Sequence, residues 1–230
     1  MENMSLRNRR FLFVVMVFGV LSACQQDKPT DKEANLYVRF DQAEQKLKAE
    51  ALFYKIGPDA KKESIAFSNS VTFNGAKMLA KNLPGGLVRY DCEKPGPLTE
   101  GISFRLKEDD GNLAEFPVAI SAFKAFSLKK IDCPKPSCLE LAFEGPPLAK
   151  NEKLILMVAD GGKKAHSFEF AGLTPQNRVT LTGEQLATLS DGHMSAYLVR
   201  SITDRLKRGS YQVECTVECY SQSQTFDWPQ

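Results

Sequence analysis

Apolar and polar residues alternate with a period of two over much of this chain, and that pattern commits it to β-structure. Side chains of an extended strand point to opposite faces in turn, so a half-buried strand shows an apolar residue at every second position. Leu47, Ala49, Ala51 and Phe53 alternate with Lys48, Glu50, Leu52 and Tyr54. Ile102, Phe104 and Leu106 alternate with Ser103 and Arg105. Asp109-Asp110-Gly111-Asn112 then predicts a hairpin turn, because Gly and Asn tolerate the positive φ of tight loops, and the chain resumes at Leu113, Glu115 and Phe116. A second hairpin joins Leu154–Ala159 to Lys164–Phe170 across Asp160-Gly161-Gly162, and Arg178–Leu181, Met194–Arg200 and Tyr211–Tyr220 are further strands. Helical signals are few. Thr182-Gly183-Glu184-Gln185 carries the hydroxyl and amide of a capping box, so one or two helical turns are expected there, and a second short helix over Gly75–Asn82.

The pattern breaks at Ile131-Asp132-Cys133-Pro134-Lys135-Pro136-Ser137-Cys138. Proline has no N–H for a ladder, so no central strand runs through this stretch. We therefore expect a mainly β chain with two small immunoglobulin-like β-sandwich domains in series, at 35–130 and 139–230, joined by a Pro/Cys linker at 131–138.

The N-terminus is of a different kind. Arg7, Arg9 and Arg10 precede an uncharged apolar run, Phe11 to Ala23, of 13 residues. A positive segment, a short apolar one and small residues ahead of a cleavage point mark a secretory signal. A spanning helix needs about 20 apolar residues, so this run is too short for one. Its ending, Leu21-Ser22-Ala23-Cys24, resembles the lipobox of bacterial lipoproteins in all four positions. The resemblance implies a diacylglyceryl thioether on Cys24, cleavage before it, and acylation (palmitate among the chains) of the freed amine. Residues 1–23 are then a signal peptide. Residues 24–34 follow as a lipidated, flexible tether, polar and without apolar periodicity. In the sorting rule known for such lipoproteins an Asp after the cysteine retains the protein at the inner membrane. Gln25 instead favours an outer-membrane anchor, facing periplasm or cell surface.

Charge bears on partners. The leader holds three Arg and one Glu, so the rest of the chain keeps 27 basic and 27 acidic residues. The full-length pI near 8.1 is thus a property of the leader, and no basic stripe exists to drive nucleic-acid binding. Hydrophobic residues at 43% are enough for a packed core, and fifteen Phe against one Trp suit core filling.

With Cys24 lipidated, Cys92, Cys133, Cys138, Cys215 and Cys219 remain as disulfide candidates in an oxidising compartment. Cys133 and Cys138 flank a proline-stiffened turn and are the first expected pair. Cys215 and Cys219 share one face of a strand but stand roughly 13 Å apart, beyond the roughly 7 Å a bridge spans. Cys92 has either of them, or the boundary pair, to choose from. Five is odd, so at least one thiol is left over or pairs between chains. A four-sulfur zinc site lacks the usual two-residue knuckle spacing, and the compartment favours oxidation.

Candidate chemistry is sparse. His166 shares strand parity with Phe168 and Phe170, as a partly buried core histidine would, and His193 follows the turn residues Asp191-Gly192. No Gly-x-Ser-x-Gly elbow is present. Glu108-Asp109-Asp110 lacks the alternating oxygens of a calcium loop, and Asp160-Gly161-Gly162-Lys163-Lys164 lacks the ending and helix of a phosphate loop. Trp228, Tyr220, Tyr211 and Tyr197 are the rings available to stack on a sugar, with Tyr211 in register with the inward cysteines. The expectation is a non-catalytic, membrane-anchored binding or structural module of the bacterial cell envelope. It needs no cofactor or metal, and its partners are the bilayer and an envelope protein or glycan. An envelope hydrolase using His166 or His193, and a glycan- or small-ligand-binding accessory subunit, are the alternatives.

Overall fold

The computed structural model describes residues 31–68, 71–98, 101–133, 138–160, 164–172 and 176–228. The expected signal peptide, Cys24 and most of the expected tether lie outside the described residues, as do Gly161 and Gly162 of the expected hairpin turn.

The first hairpin shows how the alternation becomes structure. In β1 (Lys32–Asp41) and β2 (Lys46–Ile56) every second residue is buried, from Ala34 to Phe40 and from Leu47 to Phe53. Asp41 holds the turn between them, its Oδ1 accepting the backbone N–H groups of Ala43 at 3.0 Å and Glu44 at 3.2 Å. The chain continues through β3 (Lys62–Ser64), β4 (Val71–Phe73), β5 (Ala76–Lys77), β6 (Leu79–Leu83), β7 (Leu87–Pro95), β8 (Ile102–Lys107) and β9 (Leu113–Val118). Then follow β10 (Phe126–Ile131), β11 (Cys138–Phe143), β12 (Glu152–Ala159), β13 (Ala165–Ala171) and β14 (Arg178–Leu181). The single turn α1 (Gly183–Leu186) precedes β15 (Gly192–Arg208), β16 (Tyr211–Tyr220) and β17 (Gln224–Trp228).

The fold is mainly β, with two sandwiches, as expected. They share one layer. A ten-stranded sheet runs β13-β12-β15-β16-β1-β2-β7-β6, with β17 also on β15 and β3 on β2. One half of it packs on the four-stranded sheet β5-β4-β8-β9, and the other half packs on β10-β11-β14. The joint is β15, whose 17 residues cross both halves. Val199 to Ile202 pair with β12 on one side and β16 on the other. β16 lies antiparallel to β15 and parallel to β1, from Lys32↔Tyr211 to Asp41↔Tyr220.

This arrangement corrects the expected boundaries. β10 and β11 pair with each other across the stretch 131–138, so that stretch joins two strands of the second sandwich and is not a link between domains. The disulfide Cys133–Cys138 closes this hairpin, with Cα atoms 6.0 Å apart. Pro134–Ser137 lie outside the described residues. Conversely, Tyr211, Val213, Cys215, Val217 and Cys219 of β16 fill the first core although they come last in the chain. The tether also ends sooner than residue 34, because the ladders with β2 and β16 take up the chain from Lys32 and bury Ala34.

The expected helix over Gly75–Asn82 is a hairpin. Phe73 pairs with Ala76, leaving Asn74-Gly75 as a two-residue loop in which both residues have positive φ, 47° and 75°. That is the signature of a type I′ turn, whose twist matches that of paired strands. The capping box of α1 forms as expected, with the Thr182 N–H donating to Gln185 Oε1 at 2.9 Å.

Phe53 organises the first core. It is fully buried, with ring centroids of Phe67 at 5.4 Å, Tyr90 at 5.9 Å and Tyr211 at 6.3 Å. Edge-on contacts of this kind add to the burial of a large apolar surface. We expect Phe53→Ala to cost about 3–5 kcal/mol, and Leu79→Ala, on an exposed side chain, to stay within about 0.5 kcal/mol. Urea unfolding of the two variants beside the parent checks both.

Candidate functional site

Polar side chains gather in three places: the joint between the cores, the far loops of the second sandwich, and the outer face of the long sheet.

At the joint, Arg200 points inward from β15 between Leu198 of the second core and Cys219 of the first. Its side chain is 2% exposed and that of Glu152 3%, so both charges are out of water. Such burial is tolerated only when every donor and acceptor is used. Arg200 Nε donates to Glu152 Oε1 at 3.1 Å, and Nη2 bonds Glu152 Oε2. Nη1 donates to the Pro146 carbonyl at 2.8 Å and Nη2 to that of Pro147 at 3.0 Å. Glu152 Oε2 also accepts the Ala149 N–H at 2.6 Å. Burial works against the Glu152 anion, but the Arg200 and Ala149 hydrogen bonds outweigh it and hold its carboxyl below the usual carboxylate range. A hollow of about 690 Å³ has Gln42, Gln45, Gln222 and Gln224 among its lining residues. Gln42 bonds the Phe123 carbonyl, and Gln224 donates to the Phe126 carbonyl at 2.6 Å. These amides fasten the strand entry of β10 to the long sheet. Nothing in the spacing of glutamines announces such a role, and the sequence reading missed both Gln42 and Gln224.

At the far loops, His166 is half-buried on the inner side of β13 with Phe168 and Phe170, as parity required. Its Nε2 is 3.6 Å from Asp160 Oδ2 and its Nδ1 is 3.4 Å from Thr188 Oγ1. Ser190 Oγ donates to Asp160 Oδ2 at 2.9 Å, and the Lys164 N–H donates to Asp160 Oδ1 at 2.9 Å. These bonds, that of Lys164 first, lower the Asp160 carboxyl below its ordinary value. In a hydrolytic triad the nucleophilic hydroxyl bonds the imidazole and the carboxylate orients the ring. Here Ser190 bonds the carboxylate, while the Thr188 hydroxyl and Asp160 flank opposite nitrogens of the His166 ring, and these contacts tie the β12–β13 mouth to the loop before β15. His193 is elsewhere, paired across strands with Asp227 at 3.0 Å, both side chains mostly exposed. The two histidines do not converge.

On the outer face, Tyr37 Oη and Tyr220 Oη both donate to Glu218 Oε2, at 2.7 and 2.8 Å. Burial first, then Glu218, pushes the Tyr220 phenol up to about 12 and raises Tyr37 as well. Tyr197 stacks on Tyr220 with centroids 6.1 Å apart, and the Arg39 guanidinium sits 3.9 Å from the Tyr220 ring centre. Of the four rings weighed for sugar stacking, Trp228 is buried in the second core and Tyr211 in the first. Trp228 reads as exposed in sequence because its strand, β17, is polar on the other face.

The cysteines divide cleanly. Cys133–Cys138 is a disulfide, whereas Cys92, Cys215 and Cys219 are free thiols. β1 and β2 lie between β7 and β16, so Cys92 is about 14 Å from the other two and pairs with neither. Burial pushes the Cys215 and Cys219 thiols up to about 12. Thiolate character, and with it reactivity, is suppressed there. Among the described residues no three metal-ligating side chains come together. Glu108 at the β8–β9 turn is taken up by Lys32 at 2.9 Å and Tyr211 at 2.6 Å, and Asp110 accepts the Asn112 N–H of its own turn.

No family model and no curated protein matches this chain. Among solved structures it is similar to a tetra-tandem repeat in the extending region of a large adhesion protein. That match has 16% identity and a TM-score of 0.28, and covers 84% of this chain and 49% of the other. The chain thus spans about half the length of that structure.

The Glu152–Arg200 pair generates a pH dependence. A carboxyl whose folded pKa is depressed adds stability above its ordinary value, and that stability is lost as pH falls through the folded value. We expect the parent chain to lose stability as pH drops below about 4.5, the ordinary carboxylate value. Glu152→Gln should cost about 3–5 kcal/mol at neutral pH and show a shallower acid decline. Glu152→Met with Arg200→Met should recover most of the loss. Urea titrations at pH 7 and in acid measure all three.

Proposed function

We propose that this chain is a lipid-anchored, non-catalytic module of the bacterial cell envelope. It is held at the outer membrane through acylated Cys24 and offers its two joined sandwiches to an envelope partner. The observation that carries this reading is Leu21-Ser22-Ala23-Cys24 behind a basic segment and a 13-residue uncharged run. Two structural features support it. The Cys133–Cys138 bridge is of the kind that persists in oxidising compartments. And β1 begins at Lys32, so the seven residues Gln25 to Asp31 reach at most roughly 25 Å and keep the first sandwich close to the bilayer. The charged pair at the joint is satisfied within the fold, which favours a scaffolding role for it over turnover.

Cells fed radiolabelled palmitate test the anchor. Label should enter the parent chain and follow it into the outer-membrane fraction, and Cys24→Ala should lose both label and membrane association. Label retained by Cys24→Ala would refute the proposal.

A further inference from the structure

The long sheet ends at β13, and among the described residues no strand pairs with its outer side. Sheet edges invite another strand unless they are short, covered, or marked by Lys or Pro. The other edges of this molecule are marked in one of these ways. β6 carries Lys81 at its centre, β9 contains Pro117, and β10 carries Lys129 and Lys130. β3, β5 and β14 have two to four residues. β17 is flanked by β10, with Gln224 bonded to the Phe126 carbonyl and Lys130 Nζ 6.0 Å from the Trp228 ring. β13 reads Ala-His-Ser-Phe-Glu-Phe-Ala over seven residues, with no Lys, Arg or Pro.

We propose that β13 is a self-association edge, pairing antiparallel with β13 of a second copy of this chain about a two-fold axis through Phe168. The strand is self-complementary in that register. Residues opposite one another share a face, so Phe168 meets its own copy, His166 meets Phe170 and Ala165 meets Ala171. Glu169, the strand's single charged residue, meets Ser167. Sliding by two residues in either direction shortens the ladder to five residues, and in one direction it also sets Glu169 against Glu169. His166, Phe168 and Phe170 are half-buried on the inner side, so pairing also covers apolar surface left open at the sandwich rim. Four strand steps separate β13 from β1. At about 20–25° of twist per step, β1 runs roughly parallel to the two-fold axis. Both N-termini then leave on the same side, as two chains in one bilayer require. This inference goes beyond the anchored module proposed above, and the pairing itself does not need the lipid.

Ser167 and Glu169 are exposed, so folding is retained when they are changed. In the full chain carrying Cys92→Ser, Ser167→Cys with Glu169→Cys places a cysteine opposite a cysteine twice across the axis. Mild oxidation should give a covalent dimer on a non-reducing gel. The same pair of changes at Leu79 and Leu83 of β6 should not. A monomer, an equal yield from β6, or a cross-link to a different protein would each overturn the proposal. Charge reads the register separately. Ser167→Glu, facing Glu169, should weaken the dimer on the order of ten-fold by sedimentation, whereas Ser167→Lys should preserve it. Equal effects of the two would also overturn it. Repeating both measurements in Cys24→Ala separates failure of pairing from failure of the anchor.

Discussion

The parallel ladder between β1 and β16 makes two sandwiches into one body. Its partners are far apart in sequence; the Tyr37–Glu218 contact across it joins residues 181 positions apart. Parallel neighbours always need a crossover, usually a single helix. Here the crossover contains the remainder of the first sandwich and all of the second but β17. Closing so long a loop costs entropy that grows only slowly with length, so the ladder is thermodynamically affordable. Kinetically it is demanding, because non-local pairing slows folding. The first core holds five inward residues of β16 and cannot be completed until the chain has nearly all emerged.

The shared strand β15 creates the second constraint. A strand that serves two cores must change neighbours along its length, and at the change some residue faces neither core squarely. Arg200 occupies that position. Its guanidinium reaches the carbonyls of Pro146 and Pro147, a segment whose prolines have no N–H to offer a ladder. Glu152 then balances the charge. An apolar pair of similar size would fill the space as well, and replacing buried ion pairs in this way is often neutral in stability. What the charged pair adds is direction: it fits one arrangement of strap, β12 and β15, and leaves unmet bonds in any other.

How much of this was legible in sequence follows from where the signal was local. Alternation in β2, β8 and β16 stated the class of fold, and the Thr182–Gln185 box located α1 to the residue. The Cys133–Cys138 bond was legible because two prolines and a turn bring the thiols together. Ladders between distant strands leave no such trace. The second half of β15 escaped notice because Arg200, Asp204 and Arg208 stand at its inward positions and spoil the alternation. Asn74-Gly75 was passed over because Ala76 to Asn82 also suits a helix, and only the partner strand β4 decides between them. The boundary at 131–138 was misplaced for a similar reason: proline shows where a strand stops, but not whether the next strand returns to the same sheet.

The placement of Cys215 and Cys219 on β16 has a consequence for the life of the chain before it is folded. Both sulfurs are hidden only once the last long strand has docked, and on the export route proposed above they are until then open to every oxidant and every other cysteine. The Cys133–Cys138 hairpin, close in sequence, can seal itself early and withdraw from that competition. Maturation is therefore a race between docking and scrambling, in which order of assembly, and not any chemical property of the finished protein, guards the correct pairing.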